Sequence, residues 1–515
     1  MTPAPETDRD RVTAPRSKDH SPMNDRSSTT QGHTNQVIVV GAGVAGLGAA
    51  LYLSRSGWRV TLIERDATPM PTDPDSAFAW DRRGAPQVRH SHALLGRIHN
   101  LIRDDHPDVL RDLLGEGATE IRFTDLMPPT LDDPTPAPGD EDLVMLACRR
   151  TTFEWVLRRT VAREGRVGIR TGSGVAALTL GPRSDGLPPP VTGVVLEDGT
   201  ELGAEVVVVA NGRRSELPEW LRRVGLPPGS EETEDTGIVY HSRFYRLNPG
   251  REFPTSDRPI AGDLTYLKYG VFWGDNRTFS LTLAVPQDDR TLRALRDPEV
   301  FDAAASLLPA PAEWIDGRAI PITGVHSMAG LINRRRRFVH DGMPVALGLH
   351  AIGDATLCTN PLYGRGCSLG FWQARLLADA LAGNPDPVGA ARALEEATRK
   401  NLDPWYEASV QSDRAARAAL ERQVDPRDGT EDDPALFMRS VIREGLQPAS
   451  RTHAVVWRSF IRLLNLLSTP DALMAPEVAG PILTAWQERT EREPDAALGP
   501  ERGDFLASLG LTSTD

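Results

Sequence analysis

The sequence predicts an α/β protein built on a parallel sheet, with an inserted antiparallel sheet and a helical C-terminal section. An apolar run, a glycine-rich loop, a helical pattern and a second apolar run occupy residues 36–64, the order of a βαβ unit. Another apolar run, followed by a glycine-rich loop and a helix, spans about 345–382. Between them, residues 236–286 contain two strand-like runs around a Gly-Asp-Asn turn, which is typical of an antiparallel hairpin.

Bulk composition excludes several classes of partner. The 515 residues carry a formal net charge of -13, which argues against nucleic acid and anionic lipid, since both need a concentrated positive surface. Three scattered cysteines provide neither a disulfide framework nor a structural zinc site, so we expect no metal. No stretch approaches the about 18 apolar residues of a membrane span, and no apolar signal core begins the sequence. We therefore expect a cytoplasmic protein.

The first glycine loop, GAGVAG, joins a strand to a helix. Gly41 allows a tight turn, Gly43 lets the backbone approach a pyrophosphate, and Gly46 lets the helix pack closely on the strand. Glu64 ends the next strand and can accept hydrogen bonds from a ribose diol. Arg65 can either cover an adenine or remain a solvated charge. This unit predicts a dinucleotide without separating FAD from NAD, but the Pro-rich loops that follow favour a flavin domain with insertions.

The second glycine loop decides the predicted cofactor. Its sequence, with Asp354 after a strand and then Pro361, Gly364, Gly366 and Cys367, resembles the second FAD motif of the para-hydroxybenzoate hydroxylase superfamily of flavoprotein monooxygenases. The resemblance implies that the aspartate binds the ribitol chain and that the loop lies along the flavin ring. The chemistry agrees, because a carboxylate accepts hydrogen bonds from hydroxyls and a helix N-terminus stabilises charge on a reduced flavin. We therefore predict FAD.

Three further segments carry a closer resemblance. Residues 84–92, 147–150 and 333–335 resemble the flavin epoxidases of polyether antibiotic pathways, with squalene epoxidase a more distant relative. The likeness runs from about 36 to 490.

This closer resemblance also implies roles for single residues. Arg150 would reach the FAD, Arg89 would lie near its pyrophosphate, and the backbone of Val175 would touch the adenine. As alternatives, Arg150 can be a surface charge at a helix start and Arg89 a residue without a cofactor role.

Several other side chains have two interpretations each. His90 and His92 either line the flavin pocket or are hydrogen-bonded packing, and the second interpretation is favoured. Cys358, like Cys367, is interpreted as a small buried hydrophobe. The arginines at 334–337 either grip an NADPH phosphate or form a solvated strand end, which we favour. Asn211 replaces the aspartate of the superfamily's middle motif, which weakens the prediction of direct NAD(P)H handling.

These motifs suggest a domain plan. Residues 1–35, polar and Pro-rich, are expected to form a disordered tail. Residues 36–235 and 346–390 would form an FAD-binding Rossmann domain of the glutathione-reductase type. Residues 236–345 would form the substrate domain, and residues 391–515 a helical C-terminal section.

The favoured function is monooxygenation of a lipophilic natural product, with alkene epoxidation through a flavin C4a-hydroperoxide. The sequence offers no convincing protein base, so catalytic residues are unassigned and the pocket is expected to be apolar. Tyr266, Phe272, Trp273 and Phe279 are the aromatic residues expected to form it. The electron donor, NAD(P)H or a separate flavin reductase, is left open.

Other functions remain open from the sequence. Aromatic hydroxylation would use the same flavin chemistry, and a flavin-dependent reductase or dehydrogenase of an unsaturated lipid would transfer no oxygen. A flavin-binding protein without turnover is a further alternative. Halogenation is disfavoured, because the segment 314–321 does not fit the Trp-x-Trp-x-Ile-Pro motif of flavin halogenases.

Overall fold

The computed structural model describes residues 35–255, 258–422, 432–493 and 497–512, so the predicted tail lies outside the described residues except for Asn35. The described strands are, in chain order, β1 (Gln36–Val40), β2 (Arg59–Glu64), β3 (Thr119–Arg122), β4 (Val144–Ala147), β5 (Val167–Thr171), β6 (Val175–Leu180), β7 (Val191–Leu196), β8 (Glu201–Gly203), β9 (Val206–Val209), β10 (Ser230–Asp235), β11 (Ile238–Leu247), β12 (Ala261–Asp263), β13 (Lys268–Trp273), β14 (Thr278–Pro286), β15 (Ala319–Pro321), β16 (His326–Met328), β17 (Ile332–Arg337), β18 (Val339–His340), β19 (Met343–Pro344), β20 (Leu349–Ala351) and β21 (Leu357–Cys358). The described α-helices are α1 (Val44–Arg55), α2 (Pro74–Phe78), α3 (Gly96–Asp105), α4 (Pro107–Gly115), α5 (Arg150–Arg163), α6 (Leu217–Arg223), α7 (Pro298–Ser306), α8 (Pro309–Ile315), α9 (Gly366–Gly383), α10 (Pro387–Asn401), α11 (Asp403–Arg422), α12 (Pro434–Ser440), α13 (Gln447–Thr452), α14 (Ala454–Leu464), α15 (Pro476–Gln487) and α16 (Arg502–Ser508).

A parallel sheet forms the centre of the fold, in the order β5-β2-β1-β9-β20. From β1 the chain passes through α1 to β2 on one side, and later places β9 on the other side. The carboxyl end of β1 is therefore a switch point in strand order, where open α/β sheets bind ligands. All four valines of β9 are buried, as expected of a strand covered on both faces. The predicted α/β class is confirmed.

Two apolar layers cover the parallel sheet. On one face α1, α5 and α9 contribute Leu47, Leu157 and Phe371 to the core. On the other face, the sheet β6-β7-β8 and α6 contribute residues that include Val194 and Trp220. The glycine loop therefore follows a strand, β1, that is packed on both faces.

The second large sheet is antiparallel, in the order β12-β13-β14-β11-β15, with β16 also paired to β11. The predicted hairpin is confirmed as β13 and β14, with Trp273 opposite Phe279. Phe279 and other alternate residues pack on α7, α8 and α16. The intervening residues, among them Ser280 and Thr282, point to the opposite face and towards the segment that follows α2.

The expected aromatic pocket is wrong for three of its four residues. Tyr266, Trp273 and Phe279 belong to the core between the antiparallel sheet and its helices, whereas Phe272 packs on the opposite face. Neighbouring residues of a strand point to opposite faces, so Phe272 and Trp273 cannot line one pocket.

The first helices after residue 390 pack on α9, which covers one face of the parallel sheet. Leu402, Trp405 and Val410, at the end of α10 and along α11, share a core cluster with Leu369 of α9 and Leu357. No helix within the described ranges combines the length and hydropathy that a bilayer crossing needs. The proposed domain boundaries stay a prediction.

Candidate functional site

A long cleft opens at the carboxyl end of β1 and holds about 1540 Å³ of empty space, open solvent at its mouth included. Both predicted glycine loops, the start of α5 and the edge of the antiparallel sheet form its walls. Of the thirteen residues predicted to bind a cofactor, eleven line it: Gly41, Gly43, Glu64, Arg65, Arg150, Val175, Asp354, Pro361, Gly364, Gly366 and Cys367. The structure therefore brings together residues from distant parts of the chain, and their binding role stays a prediction.

The first glycine loop has the geometry expected of a phosphate cradle. Gly41 has a φ of +102°, and a Cβ there would lie 2.6 Å from the carbonyl oxygen of Ala210. A Cβ on Gly46 would lie 1.8 Å from the carbonyl oxygen of Gly41, so the helix packs directly on the turn. A Cβ on Gly43 would meet nothing within 4 Å. Gly46 is thus outside the cleft lining because it supports the loop from behind, while Gly43 borders open space.

Glu64 is held in place by an arginine that the sequence analysis missed. The buried guanidinium of Arg82 donates to Oε2 of Glu64 at 3.3 Å, to Oε1 of Glu154 at 2.7 Å and to the carbonyl oxygen of Ala42 at 3.1 Å. The backbone N–H of Ala42 donates to the same Glu64 oxygen at 3.1 Å. Arg82 therefore joins the glycine loop, the predicted ribose-binding carboxylate and α5 into one buried unit.

Asp354 also lines the cleft, in a single turn of 3-10 helix after β20. Its carboxylate accepts no hydrogen bond from another described residue, and burial raises its pKa although Arg150, Arg213 and Arg334 oppose that shift. A carboxylate in this position has its acceptor capacity free for hydroxyl donors. A ribitol chain would supply such hydroxyl donors.

Two helices begin at the cleft without a side-chain cap. Gly43, the N-cap of α1, has no side chain, and Arg365, the N-cap of α9, carries only donors, so neither residue caps its helix through a side chain. Their first N–H groups are therefore free for an anion, as at phosphate and oxyanion sites. A Cβ on Gly366 would also meet nothing within 4 Å, so the start of α9 leaves room for a flat ring.

Four buried polar atoms on the cleft walls lack a hydrogen-bond partner in the part of the chain described: Nε of Arg150, Oδ1 of Asn211, Nε1 of Trp220 and Oγ1 of Thr359. Unsatisfied buried groups of this kind are uncommon and often mark a ligand site. Together with the free carboxylate and the two uncapped helices, they fit a long polar cofactor such as FAD.

Arg150 and His92 form a contact at the cleft wall. Nη1 of Arg150 lies 3.3 Å from Nε2 of His92, whose Nδ1 lies 2.9 Å from the carbonyl oxygen of His90. Burial, with a smaller effect of Arg150, lowers the pKa of His92 to about 3. His92 is therefore neutral, donating from Nδ1 and accepting from Arg150. Both residues line the cleft, so the predicted role of Arg150 fits its position better than a surface charge does.

The positions of Arg89 and of the β17 arginines decide two further interpretations made from the sequence. Arg89 lies outside the cleft lining and donates to the carbonyl oxygen of Phe78 at 3.4 Å. The side chains of Arg335, Arg336 and Arg337 pair with carboxylates of neighbouring elements and are not free for a phosphate. Arg334 is buried and donates to the backbone carbonyl of Arg213, so β17 is not the solvated strand end we favoured.

The two cysteines near the cleft are buried, as interpreted from the sequence. Burial raises the pKa of both the Cys358 and the Cys367 thiol, so neither is a thiolate near neutral pH.

A line of hydroxyls continues from His90 across the antiparallel sheet. Nδ1 of His90 lies 3.2 Å from Oγ of Ser242, and that oxygen lies 2.8 Å from Oγ1 of Thr282. Thr282 donates to Ser91 at 2.7 Å, and Ser91 donates to Ser280 at 2.7 Å. Since each hydroxyl has one proton, these directions make Ser242 the donor to Thr282 and Nδ1–H of His90 the donor to Ser242. The face of the antiparallel sheet that carries Phe272 therefore also carries an ordered chain of hydroxyls.

Comparison with known proteins agrees with this geometry. Residues 36–109 match the family described as FAD dependent oxidoreductase. Protein Rv3254 of Mycobacterium tuberculosis is 28% identical over 395 residues, which cover 72% of this chain and 78% of that protein.

Solved structures show the same fold. The flavin-dependent brominase Bmp2 has a TM-score of 0.56 at 16% identity, covering 89% of this chain and 99% of that one. PqsL, a probable FAD-dependent monooxygenase from Pseudomonas aeruginosa, has a TM-score of 0.52 at 17% identity, covering 75% of this chain and 97% of that one. The chain has an FAD-binding fold. FAD is the cofactor that the family match and this fold support.

Proposed function

We propose that this chain is an FAD-dependent monooxygenase that transfers one oxygen atom from O2 to a small organic molecule. The observation that carries the proposal is the single cleft with a carboxylate at each of two glycine loops, Glu64 at the first and Asp354 at the second. This arrangement suits a dinucleotide that ends in a long hydroxylated chain and a flat ring. The fold shared with flavin-dependent oxygenating and halogenating enzymes supports it.

Each part of the cleft has a proposed task. The N-terminus of α1 would face the pyrophosphate, and Glu64, fixed by Arg82, would accept bonds from the ribose. Asp354 would accept bonds from the ribitol, and the backbone around Gly364 and Gly366 would lie against the ring. When bound, FAD supplies the electron transfer and the activation of O2. The protein orients the reactants and keeps water away from them.

Alkene epoxidation of a lipophilic natural product is the reaction we propose first. Its support is the sequence resemblance to polyether-pathway epoxidases, together with the neutral state of His90 and His92. Burial, reinforced by His326 and His241, lowers the pKa of His90 to about 3, so it is a weak base. An alkene needs no deprotonation before it accepts oxygen.

Aromatic hydroxylation is the second candidate, and the hydroxyl chain from His90 to Ser280 favours it. A phenol reacts faster once its proton is removed, and this buried chain begins at His90, whose ring packs edge-on against the cleft-lining Tyr240. We propose the chain as a route that carries this proton away from the cleft.

The first test is reconstitution with FAD and measurement of stoichiometry by visible absorption. Turnover then runs under labelled oxygen gas with candidate alkenes and phenols, and the products are identified by mass spectrometry. An epoxide with one labelled atom supports the first reaction and a labelled phenol the second. An oxidised or reduced product without label would indicate a reductase or dehydrogenase. No consumption of oxygen or reductant would indicate a flavin-binding protein. Comparing NADH, NADPH and an added flavin reductase identifies the electron donor.

A further inference from the structure

The loop proposed to lie along the flavin ring is held from behind by one stripe of α11. Trp405, Ser409 and Asp413 are four residues apart, so they project from the same helix face. Their exposed fractions are 1%, 0% and 4%, although the exposed residues of the same helix include two arginines and two glutamates. The stripe therefore faces protein along its length.

Asp413 binds the loop directly. Its Oδ1 accepts a hydrogen bond from Nδ2 of Asn360 at 2.8 Å and one from the Tyr363 hydroxyl at 3.4 Å. Its Oδ2 accepts from Nδ2 of Asn333, in β17, at 2.7 Å. It forms no ion pair within the described ranges. A buried carboxylate without an ion pair persists only where hydrogen bonds satisfy it, so this arrangement is more specific than core packing.

Asn360 transmits this bond to the loop backbone. While Nδ2 donates to Asp413, its Oδ1 accepts from the backbone N–H of Leu362 at 3.0 Å. The backbone N–H of Asn360 donates to Oδ1 of Asn333 at 2.8 Å, and this oxygen also accepts from Ser409 at 2.8 Å. The start of the loop is thus fixed through both side chain and backbone.

The end of the loop is fixed by the same stripe. The guanidinium carbon of Arg365 lies 4.7 Å from the ring centroid of Tyr363 and 4.9 Å from that of Trp405. Arg365 separates the two cleft-lining glycines, Gly364 and Gly366. Tyr363 therefore connects the half-buried guanidinium of Arg365 above its ring to the Asp413 carboxylate at its hydroxyl.

We propose that Asp413 is a positioning residue for FAD. Acting through Asn360 and Tyr363, it fixes residues 360–366 in the conformation in which their glycines can lie against the flavin ring. This inference rests on the proposed FAD site. Asp413 is not among the residues lining the cleft, so any effect on the flavin passes through the loop.

Asp413→Asn tests this with little change in shape. The new amide group must face a donor, either Asn333 or Asn360, so one hydrogen bond becomes a clash of donors. We expect FAD affinity to fall about tenfold or more and the visible absorption bands of bound flavin to change. The matched control is Asp140→Asn, a buried carboxylate bound to Arg458 outside the cleft lining. It should lower the melting temperature and leave affinity and spectrum unchanged.

Exchanging the side chains of residues 333 and 413 should restore the hydrogen bonds that Asp413→Asn disrupts. In the double variant Asn333→Asp/Asp413→Asn, the new carboxylate at 333 accepts from Asn360, from Ser409 and from the new amide at 413. The oxygen of that amide accepts from Asn360 and Tyr363. We expect FAD affinity within about threefold of the wild type, because the coupled pair is restored. Should Asp413→Asn not fold, Tyr363→Phe removes one donor without leaving an unpaired group, and should weaken FAD binding about two- to fivefold.

Wild-type affinity and spectrum in both Asp413→Asn and Tyr363→Phe would overturn the inference. So would an affinity loss that the double variant fails to recover although it melts like the wild type. These results differ from a wild-type chain that binds no FAD, which would overturn the proposed function and this inference with it.

Discussion

The Asp275 carboxylate, in the turn of the β13–β14 hairpin, binds both the side chain and the backbone of Arg149. Its Oδ1 accepts from the Arg149 backbone N–H at 2.7 Å and its Oδ2 from Nη2 at 2.7 Å. Both side chains are buried, and Arg149 is the N-cap of α5. The antiparallel sheet is therefore tied to the helix whose first residue, Arg150, lines the cleft.

Asp275→Ala should reduce the free energy of unfolding by about 3–5 kcal/mol, because it leaves the buried Arg149 guanidinium with only a 3.7 Å ion pair to the exposed Asp75. Urea unfolding at neutral pH measures this change. Asp316→Ala, which removes the exposed ion pair with Arg318, is the control and should cost no more than about 1 kcal/mol. Equal effects of the two substitutions would contradict a structural role for the buried pair.

Gly43→Ala and Gly46→Ala should have different effects. A Cβ at Gly43 points into open space of the cleft, so this variant should fold with a near-normal melting temperature and bind FAD at least about tenfold more weakly. A Cβ at Gly46 overlaps the carbonyl oxygen of Gly41, so that variant should be destabilised by several kcal/mol even without FAD. Thermal melting with and without FAD separates the two. A Gly43→Ala protein with normal affinity would show that the pyrophosphate does not lie there.

Asp354→Ala should weaken FAD binding about tenfold or more, because a charged hydrogen-bond acceptor contributes about 1.5–3 kcal/mol. The apo protein should be no less stable than the wild type, since burial raises the pKa of this carboxylate and no described residue bonds to it. Fluorescence titration with FAD and melting of the apo protein measure the two effects. Asp379→Ala, on the outer side of α9, is the control. A loss of apo stability with unchanged affinity would assign Asp354 a structural role.

Buried histidines should make the chain sensitive to mild acid. Burial lowers the pKa of His350 to about 4, against about 6.5 in an unfolded chain. Below about pH 6.5 the unfolded chain takes up a proton that the folded chain does not, so stability falls as pH drops towards 4. The contribution of His350 between pH 7.5 and 5 is about 2 kcal/mol. His350→Gln should reduce the stability loss by that amount, measured by urea unfolding at both pH values, whereas the exposed His340→Gln should not.

The sequence predicted those parts of the fold and cleft that are encoded locally. The turn at Gly41, the packing of Gly46 and the position of Glu64 follow from one βαβ unit, in which spacing along the chain determines distance in space. The hairpin of the second sheet was predicted for the same reason. The sequence did not show which hairpin residues face the cleft. Both faces of the hairpin are covered by protein, so the alternation of Phe272 and Trp273 does not tell which of the two residues lies towards the cleft.

Residues that support the cleft from behind were missed for a different reason. Arg82 lies in a loop without periodicity, and the carboxylates it joins come from β2 and α5. Asp413 lies on a helix whose polar residues are mostly exposed, and its partners Asn333 and Asn360 belong to other elements. Only tertiary structure brings such groups together, so no local pattern indicates them.

The pairing of β20 with β9 has a consequence for synthesis. Leu349 aligns with Val207, although the whole antiparallel sheet lies between them in the chain. On the ribosome, the sheet β5-β2-β1-β9 can assemble early, but its fifth strand and α9 emerge only after the inserted segment. Vectorial folding would therefore complete the inserted sheet before the nucleotide-binding half is closed, and long-range pairing of this kind is slow. The nascent chain would expose the edge of β9 until then, which makes that edge the place where misfolding or chaperone capture would begin.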